Sequence, residues 1–192
     1  MLSHDIGIMA TPHSQRRAPN ASWTWAADNG CFSDRWVAGG WSNWLDSHAN
    51  PCSALFATVP DVVADHDATM TRWRDWADHV RQKGYKTAFV AQNGCTPSTM
   101  PTDADAIFIG GSTAWKLSST AQRIVAHARA AGKWVHMGRV NSLRRLRIAE
   151  SWGCDSVDGT LLAFAPDANT ARLIEMVRQV HRQPSLDIYK KG

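Results

Sequence analysis

The 192-residue sequence lacks several features that mark particular classes of protein. It has no linker rich in glycine, serine or proline and no long run of like charges, so one domain spanning residues 1–192 is predicted. Its longest apolar stretches, such as residues 161–166, fall far short of the ~20 residues that a membrane-spanning helix requires. The amino-terminal residues have no basic segment followed by an apolar one, as a secretion signal would. We therefore expect a soluble cytoplasmic protein that does not contact a membrane.

Motifs for metals and common cofactors are also missing. Cys31, Cys52, Cys95 and Cys154 lie in separate segments, with no C-x-x-C pair and no histidine at the spacing of a zinc site. The sequence contains neither the phosphate-binding pattern G-x-x-x-x-G-K nor a dinucleotide-binding fingerprint. We therefore expect the protein to use no metal and no cofactor.

Basic residues are present in excess. Lysine and arginine number 21 against 17 aspartates and glutamates, and the formal net charge of +4 permits contact with a polyanion without requiring it. The densest basic cluster comprises Arg139, Arg144, Arg145 and Arg147. A solvated helix face is the plain alternative for this cluster.

Short apolar segments alternate with helical patterns along the chain. Buried strands are predicted at residues 23–28, 54–60, 86–92, 106–110, 134–138 and 154–158, with a further candidate at residues 6–10. Helices are predicted at residues 67–82, 119–131, 141–152 and 167–181, where apolar residues recur at helical spacing. This alternation is typical of an α/β protein in which outer helices cover a parallel sheet.

Polar or glycine residues follow most of the predicted strands. They are Asp28, Asp61, Gln92, Gly110, Gly111, Arg139 and Asp158. In a parallel barrel all strand ends meet at one mouth, whereas an open doubly wound sheet would scatter some of them. The sequence therefore favours a pared-down TIM-type (β/α) barrel.

Three of these residues are acids. Any one of Asp28, Asp61 and Asp158 could cap a helix or close a turn. Three acids at one mouth would instead supply a nucleophilic carboxylate and a second carboxyl group that transfers protons. Such a pair is what displacement at an anomeric carbon needs, because the transition state resembles an oxocarbenium ion.

The same strand ends carry groups that suit a flat heterocyclic base. The amide of Gln92 can both donate and accept hydrogen bonds. Gly110 and Gly111 offer backbone N–H groups that no side chain blocks. Trp115 follows the glycines and is a candidate for stacking on the base.

Six motifs occur in order along most of the chain. They are ADNGCF (residues 27–32), VPDVV (59–63), FVAQNG (89–94), FIGGS (108–112), HMGRVNS (136–142) and GCDSVDGT (153–160). This succession resembles the tRNA-guanine transglycosylase superfamily, and is more similar to its DNA-modifying, phage-type branch. The resemblance implies an enzyme that replaces guanine in a nucleic acid, DNA rather than tRNA, with a free 7-deazaguanine (preQ0-like) base. If the protein is encoded by a phage, it would act in the host cytoplasm.

The resemblance also implies a role for individual residues. Asp158 matches the nucleophile that attacks C1′ of the nucleotide, and Asp28 matches the acid that transfers protons. Asp61 and Gln92 match residues that hold the edges of a guanine-like base, and the Gly110–Gly111 segment matches backbone that contacts its carbonyl. The sequence departs from the family in the turn after Asp28, and it passes from Thr160 to one helix where the tRNA enzymes have a zinc subdomain.

The arginines and the outcome of the reaction leave alternatives open. Arg139, Arg144 and Arg147 are expected to contact phosphates of the nucleic-acid backbone.

Asp28 and Asp158 would also serve a base-excising N-glycosylase or a nucleoside hydrolase, in which water resolves the covalent intermediate. A nucleic-acid-binding barrel without catalytic activity is the third interpretation.

Overall fold

The computed structural model describes residues 6–13, 23–33, 36–47 and 51–182. The strands in these ranges are β1 (Ile8–Ala10), β2 (Trp25–Ala27), β3 (Ala54–Thr58), β4 (Thr87–Ala91), β5 (Ala106–Ile109), β6 (Trp134–Met137) and β7 (Ser156–Val157). The helices are α1 (Ala38–Asp46), α2 (His66–Gln82), α3 (Thr113–Lys116), α4 (Ser119–Ala130), α5 (Leu143–Trp152), α6 (Leu161–Phe164) and α7 (Pro166–Arg182). A 3₁₀ turn at Pro51–Ser53 precedes β3.

The seven strands form one parallel sheet in the order of the chain, with β1 and β7 at its edges. Each strand pairs with the next one, so that Phe89 lies beside Ile107 and Ile107 beside Val135. Because the connections all step in the same direction, the helices gather on one side and the sheet curls into a half-barrel. The predicted α/β class with parallel strands and outer helices is confirmed.

The convex side of the sheet is covered by the helices. On α2, Trp73, Ala77 and Val80 are buried at the spacing that predicted this helix, and the Trp73 ring packs edge-on against Phe89 at 5.5 Å. Burying a large apolar side chain of this kind stabilises a fold by about 1.5–3 kcal/mol. Helix α4 ends just before Gly132, which has a φ of +70° and so suits the left-handed turn there.

Three short helices were not predicted. Helix α1 contains Gly39 and Gly40, which disfavour helix, and its burial of Trp41 and Leu45 compensates for them. Helices α3 and α6 have four residues each, too few to show a helical period in the sequence.

The last helix, α7, packs against α5 and α6. Of the apolar residues that recur at helical spacing on α7, Val180 is buried, whereas Leu173, Ile174 and Val177 are half-buried. Among the residues that the structure describes, no helix combines the length and apolar character needed to cross a membrane.

Candidate active site

The concave face of the sheet carries the candidate site. Its floor is an apolar cluster of strand residues, separate from the core under the helices: Ala26, Phe56, Ala88 and Ala106, with Phe108 against them. Successive strand residues alternate between the two faces, so positions two residues further along reach the same side. This alternation brings Asp28, Gln92 and Asp158 to the carboxyl-terminal edge of the concave face.

Asp158 is held by donors on both of its carboxylate oxygens. The backbone N–H of Arg139 donates to Oδ1 at 2.6 Å, and Nε2 of His136 lies 3.2 Å from Oδ2. Arg139 has a φ of +56°, a left-handed conformation that is costly for a residue with a side chain. The bond to Asp158 helps to hold that conformation, so the loop after β6 and the end of β7 support each other.

The pKa of Asp158 lies below its ordinary value. Burial alone would raise it, but the hydrogen bond and charge of His136, the Arg139 N–H and the charge of Lys116 together outweigh burial. The side chain is 21% exposed, so a ligand in the concave face can still reach the carboxylate. Asp158 is therefore an accessible, ionised carboxylate at neutral pH.

Asp28 has the opposite electrostatic environment. Burial, together with the negative charges of Asp61 and Asp158, raises its pKa to about 7. Its donors are weak, because the Gly30 N–H lies 3.3 Å and the Thr58 hydroxyl 3.4 Å from Oδ1. Asp28 can therefore hold a proton near neutral pH and also release it.

Asp61 and Gln92 form a buried polar network. Nε2 of Gln92 donates to Asp61 Oδ2 at 2.6 Å, and Nδ2 of Asn29 donates to Oδ1 at 3.1 Å. The Gln92 Oε1 accepts from the Ala64 N–H at 2.8 Å, so both ends of this amide are engaged. An amide has two N–H groups and a carboxylate about four lone-pair sites, so Gln92 and Asp61 retain hydrogen-bonding capacity beyond these contacts. The structure thus brings the two residues together, and their contact with a base stays a prediction.

The two glycines after β5 are not equivalent. The Gly110 N–H donates to the Ala91 carbonyl at 3.0 Å as part of the sheet, so it is not available to a base. That corrects the expectation for Gly110. Gly111 has a φ of +72°, and a Cβ there would lie 2.7 Å from both Asn93 Oδ1 and a ring carbon of Trp115. Any side chain at Gly111 would therefore disrupt the loop that borders the site.

The arginines differ in what they contact. Nη2 of Arg139 donates to the Gly111 carbonyl at 2.5 Å, and its guanidinium lies 4.4 Å from the centre of the Phe32 ring. Arg139 therefore contributes to the structure of the mouth, and its contact with a phosphate stays a prediction. Arg144 and Arg147 are exposed and line a shallow groove on α5, and their contact with phosphates stays a prediction.

Two residues of this region were not predicted as functional. His136 is buried, and its two ring nitrogens lie within hydrogen-bond distance of Ser156 and Asp158. The sequence signal that could have indicated it is strand alternation, which places His136 on the same face of the sheet as Gly138, two residues later. Lys116 is 2% exposed, and its Nζ donates to the Gly138 carbonyl. Burial, followed by the charge of Arg139, lowers the Lys116 pKa to about 8, and no sequence pattern indicates such a buried lysine.

No family model matches this chain, and no curated protein matches it significantly. Among the described residues, no group of three histidines, cysteines, aspartates or glutamates is placed to hold a metal ion. The functional assignment therefore depends on the geometry of the concave face and on the sequence motifs.

Proposed function

We propose that this protein is a base-exchange transglycosylase that replaces guanine in DNA with a 7-deazaguanine base. The observation that supports this proposal is the placement on one concave face of two carboxyl groups whose pKa values are shifted in opposite directions. Asp158 is held ionised, and Asp28 has a pKa of about 7. Exchange at an anomeric carbon needs an anion that attacks C1′ and an acid that protonates the leaving base.

In the first half-reaction, an oxygen of Asp158 forms a bond to C1′ while the bond from C1′ to N9 of guanine breaks. The electron pair of the broken bond moves to the base. Asp28, in its carboxylic acid form, transfers a proton to the base, so neutral guanine leaves. The products are a glycosyl ester on Asp158 and a carboxylate on Asp28.

The second half-reaction reverses these changes with a different base. The Asp28 carboxylate takes the proton from N9 of the incoming 7-deazaguanine. That nitrogen then forms a bond to C1′, and the ester bond breaks to return the Asp158 carboxylate. Asp28 ends as the acid, so one cycle leaves the enzyme unchanged.

The remaining groups of the concave face suit recognition of the base. Asp61, Gln92 and the Gly111 backbone would hold its polar edge, and Trp115 lies beside Gly111 where a ring could stack. Because a target C1′ is inaccessible within a duplex, the nucleotide must be flipped or single-stranded. DNA is favoured over tRNA by the similarity of the six motifs to the DNA-modifying branch. On this proposal the half-barrel is a pared-down TIM-type barrel.

A labelled oligonucleotide tests the proposal directly. DNA and tRNA carrying radiolabelled guanine are incubated separately with the protein, and release of free guanine is measured with and without 7-deazaguanine. We expect release from DNA that depends on the added base, incorporation of that base by mass spectrometry, and a covalent adduct on a denaturing gel. Release without incorporation would identify an N-glycosylase, and neither release nor adduct would leave only a binding protein.

The matched control for the proposed nucleophile lies just before the same strand, β7. Asp155 lies three residues before Asp158, is exposed, and accepts a hydrogen bond from the Val135 N–H at 2.8 Å. It thus makes a comparable backbone contact at the opposite end of β7. Asp158→Asn should abolish the adduct, whereas Asp155→Asn should leave it.

A further inference from the structure

A continuous chain of hydrogen bonds leads to Asp158 through His136. Nε1 of Trp134 donates to Ser156 Oγ at 2.9 Å, Ser156 Oγ lies 2.8 Å from His136 Nδ1, and His136 Nε2 lies 3.2 Å from Asp158 Oδ2. These hydrogen bonds connect β6 with β7, where His136 is paired with Ser156 in the sheet register.

The chemistry of these groups determines the tautomer of a neutral His136. An indole N–H can only donate, so Ser156 Oγ accepts from Trp134 and can direct its own proton to Nδ1. The proton of the neutral imidazole then lies on Nε2, facing the carboxylate. If the ring is protonated, Ser156 accepts from both neighbours and Nε2 still donates to Asp158.

Packing fixes the direction of the ring. His136 is 3% exposed, and its ring centre lies 4.6 Å from that of Phe108 and 5.4 Å from that of Phe56. A ring held on its faces by aromatic side chains and on both nitrogens by hydrogen bonds has little freedom to rotate. Its Nε2 therefore points at one defined place, the Oδ2 of Asp158.

We propose that His136 is a positioning residue for Asp158, whose Nε2–H fixes the direction of the carboxylate that attacks the anomeric carbon. This inference rests on the proposed function of Asp158. The Arg139 N–H on Oδ1 and the His136 Nε2–H on Oδ2 together hold both oxygens from β6 and the loop after it, so the carboxylate cannot turn away from the concave face.

The order of serine, histidine and aspartate resembles a hydrolase triad, but the geometry assigns the roles differently. Ser156 lies two residues before Asp158 on the same strand, further from the mouth, and its hydroxyl is already engaged by Trp134 and His136. Asp158 is the member at the strand end, where a ligand can enter. Ser156 thus orients the ring, and Asp158 acts on the substrate.

The substrate-free protein provides the first test. With ¹³C-labelled aspartate, the titration of the Asp158 carboxyl carbon is followed by NMR, and its signal is identified by its loss in Asp158→Asn. The charged groups around His136 and Asp158 are Asp28, Asp61, Lys116 and Arg139. In His136→Leu the titration of Asp158 should move up by about one pH unit, because burial then acts without the histidine donor. In His136→Gln, whose amide can still donate, the shift should be smaller.

The exchange reaction provides the second test. Loss of one hydrogen bond to a charged group should slow exchange about 10- to 100-fold in His136→Leu, with partial recovery in His136→Gln. The acid limb of the pH–rate profile should shift to higher pH by the same amount as the titration of Asp158. Loss of a residue with a merely structural role would not shift this limb. Ser156→Ala, which disturbs only the tautomer of the ring, should have a smaller effect than His136→Leu.

The outcomes separate the two proposals. An Asp158 titration and exchange rate that are unchanged in His136→Leu would overturn the positioning role. A shifted titration in a protein that exchanges no base would retain the coupling of His136 to Asp158 and refute the transglycosylase. Activity lost as fully in Ser156→Ala as in Asp158→Asn would make Ser156 the nucleophile and overturn the inference. If His136→Leu does not fold, His136→Gln and Ser156→Ala carry the same comparison.

Discussion

At its two ends the concave face carries an aspartate just after a strand, and the pKa values of these two aspartates are shifted in opposite directions. Asp28 follows β2 and Asp158 follows β7, and burial disfavours the charge of both. Asp158 receives a backbone N–H at 2.6 Å and a histidine nitrogen at 3.2 Å, whereas the two donors to Asp28 lie at 3.3 and 3.4 Å. Burial acts on both carboxyl groups, and the stronger donors at Asp158 outweigh it there, whereas the weaker donors at Asp28 do not.

The neighbouring charges increase the contrast. Lys116 and His136 favour the charge of Asp158, while Asp61 and Asp158 disfavour the charge of Asp28. Two acids whose environments separate their pKa values are the arrangement that general acid catalysis beside a nucleophile requires.

The largest effect is expected at the ionised end. Asp158→Asn keeps the shape of the side chain but removes the nucleophile, so base exchange should fall by about 10⁴-fold or more and no covalent adduct should form. Exchange rates and denaturing gels measure both. Asp155→Asn is the control, and wild-type exchange by Asp158→Asn would remove this residue from the mechanism.

The protonated end should show a smaller effect that depends on pH. Asp28→Asn should slow exchange by about 10² to 10⁴-fold at pH 6, where the wild-type residue holds a proton to give to the base. Expulsion of guanine by the wild type should decline above pH 7 as Asp28 ionises, in line with its pKa of about 7. The variant should lack this decline in single-turnover measurements of guanine release.

The control for Asp28 is an aspartate outside the site. Asp105 precedes β5 and accepts a hydrogen bond from the Thr87 N–H at 2.7 Å. Asp105→Asn should leave the pH profile unchanged. If Asp28→Asn retains the wild-type rate and the same decline above pH 7, another group supplies the proton.

The contact with the nucleic-acid backbone should be independent of both acids. Arg144→Ala and Arg147→Ala should each reduce the slope of log Kd against log salt by about 0.7 to 0.9, and the choice of base should not change. Arg145 should matter less, because its Nη1 donates to the Arg139 carbonyl at 3.2 Å. Arg74→Ala, an exposed arginine on α2, is the control. Unchanged slopes would assign the cluster to a solvated helix face.

The smallest effect concerns stability and needs no substrate. Folded Asp28 keeps its proton to about pH 7, whereas the unfolded chain loses it near 3.8, so this residue destabilises the fold increasingly between pH 4 and 7. The difference in Tm between Asp28→Asn and the wild type should therefore increase in favour of the variant as the pH rises over that range. Each kcal/mol corresponds to about 2 to 4 °C for a chain of this size.

Asp158 should behave in the opposite way. Its folded pKa lies below 3.8, so the stability that it contributes is present above that pH and is lost as the pH falls. Asp158→Asn should have a lower Tm than the wild type at pH 7, and the difference should shrink toward pH 3. Parallel Tm curves for the two variants would contradict the assignment of opposite protonation states.

Much of the fold could be predicted from the sequence, because its signals are local. The strand after residue 86 and helix α2 are visible as a short apolar run and a helical stripe, and both occur with ends shifted by only one residue or so. Helix α1 could not be predicted, since its two glycines disfavour helix and only the burial of Trp41 and Leu45 stabilises it.

The candidate site could be predicted in part. The sequence indicates Asp28 and Asp158 because each follows a strand, and alternation places them on the concave face. The engagement of Arg139 with Gly111 and Phe32, and of the Gly110 N–H with Ala91, depends on loops that are distant in the chain. Such contacts leave no periodic pattern in the sequence.

Hydrophobic spacing acts over a few residues, so the alternation of strands and helices and the acids at the strand ends follow from the sequence. The pKa shifts of the two acids come instead from contacts that are made on folding. Asp158 obtains its histidine donor from 22 residues away, and Asp28 obtains its hydroxyl donor from 30 residues away. A pKa depends on the burial and on the charges and donors that folding assembles around a group, so aspartates with the same local sequence role acquire pKa shifts in opposite directions.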